Sequence, residues 1–361
     1  MANPVTKIRN TAADYRKLDG RDKRRFWTDG ILNNALYILM AIFIIYTAIV
    51  NHNFLKIGSI TNIISLAAAS LPFALGVAGC IVLTGTDLSG GRVVGLSAAL
   101  SAALLQKTDL ARRMFSWMPN IPTWAGICIA ILAVIAIGAI IGFVNGFFVA
   151  KFKLHPFIVT LSTQLIVFGS VLMYLMIGTN NGQTLSGLDA SYTEFVRGTL
   201  FTVGGVAVPK YVLYAVILTA LMWVIWNKTT FGKNMFAVGS NEEAANVSGV
   251  NVFLTIVLVF VLAGAMYGVT GFIEGARIAS CSANTGLNYE CDAIAACVIG
   301  GVSFVGGTGK ISGIVIGVLL LQIIFAGLNF LSVSANMLYI IKGLIILIAC
   351  AIDMRKYLVK K

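Results

Sequence analysis

Side chains that could do chemistry are sparse in this chain, and the most prominent is Asp87. It lies in the stretch GTDLSGGR (85–92), between two apolar runs. A carboxylate among apolar segments needs a partner or water, and Arg92 is close enough in sequence to pair with it. Asp87 could therefore line or gate a polar path. It could instead cap the helix that starts near Val93, with help from Ser89.

A second glycine-rich stretch, GGTGK (306–310), follows the short apolar run 293–304. It invites comparison with the phosphate-binding loop G-x-x-x-x-G-K-[ST], whose backbone amides cradle nucleotide phosphates. The comparison fails because Phe304 occupies the first glycine position and Ile311 follows Lys310. We therefore expect this chain not to bind ATP itself.

The other polar residues do not suggest catalysis or metal binding. The chain has two histidines, and its six cysteines include no C-x-x-C pair. No Ser/His/Asp or Cys/His combination stands near a plausible cavity, so a membrane hydrolase has no support. We expect neither catalytic residues nor a metal site.

The elements that must position these residues are membrane spans. Of the 361 residues, 58% are hydrophobic and 11% are charged, and the mean hydropathy is +0.90. This composition is typical of an all-α polytopic membrane protein and leaves no room for a large soluble catalytic domain. Ten apolar runs can be delimited, at 31–50, 57–84, 93–106, 122–150, 156–178, 211–226, 252–271, 293–304, 311–331 and 337–352.

The basic residues predict the orientation of these runs. The net charge of +12 is concentrated next to the spans, which is the pattern of a membrane protein and not of a nucleic-acid-binding surface. With the N-terminus inside, 18 of the 26 Lys and Arg residues fall in inner segments and seven in outer ones. We therefore predict both termini in the cytoplasm, with ten spans, or eight if the short runs are re-entrant.

This topology divides the chain into three parts. A basic cytoplasmic tail over residues 1–30 precedes a transmembrane domain over 31–352, and a second basic cytoplasmic tail covers 353–361. The N-terminal segment shows no short apolar core followed by a small-residue cleavage site, so no cleaved signal peptide is expected.

Several polar or helix-breaking residues lie within or beside the apolar runs. Pro72 is expected to kink or break the second run. Asn145 could hydrogen-bond across helices or line a polar path, and Lys342 could reach the surface, pair with an acid or face the path. Glu274 and Arg277 are three residues apart and could pair on one helix face.

The two glycine-rich interruptions adjoin short apolar runs in the two halves of the chain. Paired interruptions of this kind can mark a substrate path. Their likeness is limited to a Gly-Gly followed by a basic residue and an apolar run, so a duplicated architecture is left open. The residues we associate with such a path are Thr86, Asp87, Ser89, Asn145, Gly306 and Gly307.

The polar island at 231–251 separates two apolar runs and has a helix-forming Glu-Glu-Ala-Ala core. Asn241 is suited to cap a short helix, with Glu242 and Glu243 in its first turn, where they favour the positive end of the helix dipole. Gly249 can end the helix. Such a helix on the inner face would suit docking to a soluble partner, and an ordinary solvated loop is the alternative.

Four stretches in order carry a more specific signal. They are GTDLSGGRVVGLSAA (85–99), GFVNGFFVAKFKLHPFIVTLSTQ (142–164), FGKNMFAVGSNEEAANVSGVNV (231–252) and CDAIAACVIGGVSFVGGTG (291–309). Through them the chain, over roughly residues 31–357, resembles the permease subunits of bacterial ABC sugar importers, in the branched-chain amino acid and ribose/galactose permease family. GTDLS and DAIAACVIGGVSF resemble the galactose/methyl-galactoside branch. Ser162 departs from the family pattern TLGT, where glycine is expected.

The resemblance implies a type II ABC importer-like fold in the bacterial cytoplasmic (inner) membrane. In this family a cytoplasmic loop with an EAA-x-x-x-G pattern docks on the ATPase subunit, which makes 227–251 a coupling loop here. The residues implied to couple are Phe231, Gly232, Gly239, Asn241, Glu243, Ala244, Ala245 and Gly249.

The resemblance also implies the partners of the chain. They are one or more ATPase subunits, which would hold ATP and Mg²⁺, an extracytoplasmic sugar-binding protein, and a second permease copy or homologue. No cofactor is expected in this chain. The alternative solutes are ribose, another pentose, a nucleoside and a branched-chain amino acid. The alternative class is an ion- or proton-coupled secondary carrier, which would need a midplane carboxylate or cation site and no ATPase.

Overall fold

The computed structural model describes residue 19 and residues 35–110, 113–117 and 122–358. The predicted N-terminal tail, apart from residue 19, and residues 359–361 of the predicted C-terminal tail lie outside these ranges. Within them the chain forms thirteen helices and two strands. In order these are α1 (Ala35–Val50), α2 (Ile57–Val82), α3 (Gly90–Leu104), α4 (Thr123–Phe152), α5 (Pro156–Leu175), α6 (Ala190–Arg197), β1 (Thr199–Val203), β2 (Val206–Pro209), α7 (Tyr211–Lys228), α8 (Thr230–Ser240), α9 (Glu242–Val247), α10 (Val252–Ile278), α11 (Tyr289–Ile299), α12 (Ile311–Phe330) and α13 (Ala335–Leu358).

Six of the described helices are long and apolar enough to cross a membrane, and they are α2, α4, α5, α7, α10 and α12. Shorter apolar stretches lie in α1, α3 and α13, and α11 has 11 residues. A helix needs about 20 residues to cross the hydrocarbon core, so α3 and α11 are too short to cross it alone. The predicted polytopic helical class is confirmed.

Helix α2 is the centre of the bundle. In its most apolar stretch, 83% of the residues are buried in the protein, against 28% in α4 and α5 and 22% in α7. Of the two effects predicted for Pro72, a kink or a break, the break does not occur, because the helix continues through this residue. Neighbouring helices can satisfy the backbone groups that a proline leaves free within a membrane, and α2 packs against α7, α10, α11 and α12.

The most extensive helix–helix contact joins α4 to α10 and depends on glycine. A Cβ atom on Gly138 would collide with the carbonyl oxygen of Gly264, and a Cβ on Gly264 would collide with that of Gly138. The two backbones therefore touch directly, which is the close approach that small residues allow between membrane helices.

We expect Gly264→Ala to lower the midpoint of thermal unfolding in detergent, because the added methyl group must displace the backbone of α4. Overpacking of this kind costs roughly 1–3 kcal/mol. The control is Gly169→Ala on α5, where an added Cβ has no neighbour within 4 Å. Equal unfolding midpoints for the two variants would contradict this packing.

One segment departs from the helical pattern. In the polar stretch between α5 and α7, β1 pairs with β2 in an antiparallel hairpin. Gly204 and Gly205 form its turn with φ of 56° and 80°. Two consecutive positive φ values are those of a type I′ hairpin turn, which suits the twist of the flanking strands. The sequence TLFTV of β1 is rich in residues that favour strands.

The first glycine-rich interruption is unwound backbone enclosed by protein. Between the end of α2 and the start of α3, residues 83–89 form no helix, and α3 begins where Gly90 contacts Phe73 in the middle of α2. The chain therefore turns back into the bundle before α3 starts. Irregular backbone at membrane depth is tolerated in such enclosed positions.

The second interruption is placed differently. Gly306 and Gly307 follow the short helix α11 and precede α12, whereas the first interruption precedes the short helix α3. The two glycine-rich stretches therefore do not occupy equivalent positions, and they give no support to a duplicated architecture.

Candidate coupling surface and polar interior

The loop 227–251 folds into two helices, α8 and α9, where one short helix was predicted. Asn241 caps α9, because its Oδ1 accepts a hydrogen bond of 2.8 Å from the Ala244 N–H. Glu242 and Glu243 occupy the first turn of α9 as predicted. Gly249 follows the C-cap with a φ of 84°, a left-handed conformation that favours glycine, and the helix stops there.

The predicted coupling residues divide into an exposed and a buried set. Asn241, Glu243, Ala244 and Gly249 are exposed, Phe231 is half-buried, and Gly232, Gly239 and Ala245 are buried. The exposed side of α9 also includes Val247, with 89% of its surface free. The buried residues therefore position the two helices, and the exposed ones form the surface that a partner could contact.

An ion pair fixes α9 to the turn between α4 and α5. Lys153 Nζ lies 2.9 Å from Glu242 Oε1, and both side chains are exposed. This hydrogen bond and the negative charge of Glu242 raise the pKa of Lys153 above its ordinary value, so Lys153 is charged at neutral pH. Helix α4 extends to Phe152, so the turn between α4 and α5 begins at Lys153.

A buried polar chain links the first interruption to α4 and α5. Thr163 Oγ1 donates to Asn145 Oδ1 (2.6 Å), Asn145 Nδ2 donates to Ser89 Oγ (3.0 Å), and Ser89 Oγ donates to Asp87 Oδ1 (2.6 Å). The Ser89 N–H also donates to Asp87 Oδ1, at 2.9 Å. Every donor points toward the carboxylate, an order in which hydrogen bonds strengthen one another.

Two expectations about the surroundings of Asp87, its pairing with Arg92 and its role as a helix cap, need correction. Arg92 is not its partner in the structure, because its guanidinium donates to Ala283 O at 3.2 Å and lies 4.2 Å from the ring centroid of Phe168. The predicted cap for a helix near Val93 is also wrong. Helix α3 begins at Gly90, and Asp87 bonds to Ser89 instead of to the first turn.

Sequence reasoning missed two threonines of α5. Thr163 anchors Asn145, and Thr160 Oγ1 accepts from the Leu88 N–H (3.1 Å) and donates to Thr86 O (3.3 Å). Thr86 therefore takes part through its backbone. The signal was present in the stretch TLSTQ, because residues three apart share one helix face.

Gly306 and Gly307 do not join the polar chain around Asp87. Gly307 N–H donates to Val82 O at the end of α2 (2.9 Å), and Gly306 contacts Thr84 and the carbonyl of Gly239. A Cβ on Gly239 would collide with Val82 O. The predicted path residues therefore lie in two places. Thr86, Asp87, Ser89 and Asn145 lie together, and Gly306 and Gly307 lie at a junction that joins α8 to α2.

A cavity of about 170 Å³ lies between α2, α10, α11 and α12. Its polar lining comprises Ser70, Glu274, Arg277, Tyr289, Asp292 and Gln322. The predicted Glu274–Arg277 pair is confirmed, with Arg277 Nη2 at 2.8 Å from Glu274 Oε2. Of the roles left open for Lys342, the structure shows pairing, at 2.8 Å from Asp292 Oδ2.

A helical membrane bundle with enclosed unwound backbone, a polar interior and a capped helix at its surface defines a membrane permease. The chain matches the family described as "Branched-chain amino acid transport system / permease component" over residues 53–350, and it belongs to that family. It is a multi-pass protein of the bacterial cytoplasmic (inner) membrane. No solved structure matches it.

Curated relatives align with nearly the whole chain. The galactose/methyl galactoside import permease protein MglC of Haemophilus influenzae is 43% identical over 334 residues, which cover 92% of this chain and 97% of that protein. MglC of Escherichia coli is 42% identical over 94% of this chain and 99% of its own length. The ribose import permease protein RbsC of Bacillus subtilis is 33% identical, over 93% and 97%.

Proposed function

We propose that this chain is the permease subunit of an ATP-driven, binding-protein-dependent importer that moves galactose or methyl galactoside into the cytoplasm. The observation that carries the substrate is the difference in identity between relatives. The relatives named for galactose are 40–43% identical over more than nine-tenths of the chain, and the ribose relative from Bacillus subtilis is 33% identical over a similar length.

The proposed topology has ten membrane-embedded helices and both termini in the cytoplasm. Besides the six long helices, the embedded ones are α1, α3, α11 and α13. A second copy of the chain or a homologue would complete the type II-like importer, and a sugar-binding protein would deliver substrate on the outer face. Excess Lys and Arg in the segments assigned to the inside supports this orientation.

Helix α9 is the proposed contact for the ATPase, which would hold ATP and Mg²⁺ in a separate chain. Its exposed residues Glu243 and Val247 face outward, while Ala245 and the Lys153–Glu242 pair hold it to the bundle. A phosphate-binding loop is missing from this sequence, which supports hydrolysis elsewhere. We propose no cofactor in this chain.

The proposed motion passes from α9 through α8 to α2. Gly239 of α8, Val82 of α2 and Gly307 before α12 touch through their backbones, so a displaced α8 must displace the other two. Nucleotide can bias the inward- or outward-open state only if the ATPase binds one of them more tightly. The Asp87–Ser89–Asn145 group and Thr86 would hold the wall of the path during this motion.

Uptake by the reconstituted importer tests the function. Vesicles carrying this chain, its ATPase and its binding protein should accumulate labelled galactose with ATP, and excess methyl galactoside should compete while ribose should not. If the vesicles take up ribose and not galactose, the proposed substrate is wrong. Accumulation driven by an ion gradient in vesicles that contain this chain alone would replace the mechanism with that of a secondary carrier.

A further inference from the structure

Helix α2 ends in a hydrogen-bonding pattern that usually contains glycine. The Thr84 N–H donates to Ile81 O (2.9 Å) and the Gly85 N–H donates to Cys80 O (3.0 Å), and the two bonds form a Schellman motif. This motif places the residue after the C-cap in the left-handed region, and Thr84 has a φ of 61°. A β-branched residue is rarely found there, because its side chain crowds the backbone. The backbone of Thr84 is therefore strained.

Two other helices show the ordinary form of this motif. Helices α9 and α11 end with the same pair of hydrogen bonds, and their left-handed residues are Gly249 (φ 84°) and Gly301 (φ 83°). Glycine adopts a positive φ without steric cost. In α2 the glycine stands one position later, at Gly85, where a Cβ would lie 3.0 Å from Pro156 Cγ. Strain at Thr84 is thus a property of α2 that the motif itself does not demand.

The position of Thr84 links it to the junction that joins α8 to α2. A Cβ on Gly306 would collide with Thr84 Cγ2, so the methyl group of Thr84 lies against the backbone of Gly306. Val82 O accepts from the Gly307 N–H and touches Gly239 of α8. Thr84 is otherwise exposed, so burial does not account for a threonine here. The contacts of the junction therefore hold Thr84 in its strained conformation.

On its other side Thr84 leads into the unwound segment that carries Asp87. Thr86 O accepts from Thr160 Oγ1 of α5 (3.3 Å), so this segment is attached to α5. Val82, by contrast, is attached to α8 through the junction. Thr84 lies between the two attachments, and a movement of α8 relative to α5 must change the backbone at or beside it.

We propose that Thr84 is a positioning residue that converts a displacement of α8 into a change of direction of segment 85–89, an inference that rests on the proposed function. With α8 in place, the junction holds the left-handed conformation. When the ATPase displaces α8, the contact with Gly306 is lost and Thr84 returns to the negative φ that threonine prefers. Strain of this kind shifts an equilibrium between two conformations about 5- to 150-fold. Glycine at this position would remove that bias.

A matched pair of glycine substitutions tests whether the strain exists. Thr84→Gly removes it at the junction. Ser332→Gly does so at the end of α12, where the Ser332 N–H donates to Asn329 O in a motif of the same form and φ is 56°. That end is remote from the junction, because Asn51, ahead of α2, donates to Phe330 O there. Both variants should unfold at a higher temperature in detergent, since glycine relieves left-handed strain.

The complete importer in vesicles tests whether the strain acts in coupling. Thr84→Gly should lower the galactose moved per ATP hydrolysed about fivefold or more, because its backbone no longer favours either conformation. Ser332→Gly should equal the natural chain. Thr84→Val keeps the β-branch and the methyl group facing Gly306, so it should retain most of the natural ratio. Thr84→Asn tolerates the left-handed conformation and should resemble Thr84→Gly.

The possible failures can be told apart. If neither Thr84→Gly nor Thr84→Asn unfolds at a higher temperature than the natural chain, Thr84 is not strained and the inference is overturned. It is also overturned if the transport ratio of Thr84→Gly equals that of the natural chain, or if Thr84→Val loses as much as Thr84→Gly. Galactose import by the natural chain stands in each of these cases. If the natural chain moves ribose instead, the same ratio measured with ribose decides. A natural chain that moves no monosaccharide with ATP overturns both proposals.

Discussion

Glu243→Arg is expected to abolish ATP-driven galactose uptake while the protein still reaches the membrane. Glu243 is exposed on α9 and makes no contact that the fold requires, so its reversal leaves the bundle intact. It would place a cation where the proposed docking surface has an anion. If docking buries Glu243 against a cation of the ATPase, the loss of that pair costs about 2–5 kcal/mol, which is roughly a thirtyfold loss of affinity or more. Copurification of the ATPase with the permease measures this loss directly.

Two controls separate docking from a general effect of charge. Glu242→Gln removes the exposed pair with Lys153, and exposed pairs are worth about 0–1 kcal/mol, so this variant should keep most of its uptake. Glu194→Arg reverses an exposed charge on α6, outside loop 227–251, where Glu194 pairs with Lys210. The Glu194→Arg variant should still copurify with the ATPase. Normal uptake by Glu243→Arg would rule out a coupling role for this residue.

Replacement of Asp87 is expected to have the second large effect. Asp87→Leu removes the acceptor for the N–H and the hydroxyl of Ser89 in a setting where Asp87 is 1% exposed. Each buried group left without a partner costs about 1–3 kcal/mol, and Asn145 loses its order as well. Little folded protein should be recovered. Asp87→Asn keeps an acceptor oxygen but weakens both bonds, since charge-assisted bonds are about twice as strong.

A matched control for Asp87 exists on α6. Asp189, the N-cap of α6, accepts from the N–H two residues later, that of Ser191, at 2.7 Å, but it is only half-buried. Asp189→Leu should lower the unfolding midpoint much less than Asp87→Leu, with Asp87→Asn between them and with reduced uptake. If Asp87→Asn matches the natural chain in both unfolding midpoint and uptake, the charge of Asp87 has no role in stability or transport.

Local features were predictable because their causes are local. An apolar run becomes a membrane helix through its own backbone hydrogen bonds, and the run 122–150 is observed as α4, Thr123–Phe152. The cap of α9 was predictable for the same reason, since Asn241 bonds within three residues. The end of α10 was placed at Gly271 but lies at Ile278, because Glu274 and Arg277 pair with each other and continue the helix.

Partners across the fold were not predictable from neighbours in sequence. Arg92 was the candidate for Asp87 because it lies five residues away, yet the polar chain reaches Asp87 from Asn145 and Thr163 on other helices. Pairing between Lys153 and Glu242 spans 89 positions. The order of residues along the chain does not show which of these pairs form, since each pair depends on which helix faces pack together.

The sequence alone therefore determined the class of the protein, its apolar helices, the cap of α9 and the family resemblance that the comparison confirmed. Only the tertiary structure decided that Gly306 and Gly307 belong to the α8 junction and that Glu274, Arg277 and Asp292 surround one cavity. Hydropathy and helix capping depend on residues that are close together in the chain, so both can be recognised in the sequence. A cavity exists only where several distant helices pack imperfectly, and no single segment encodes it.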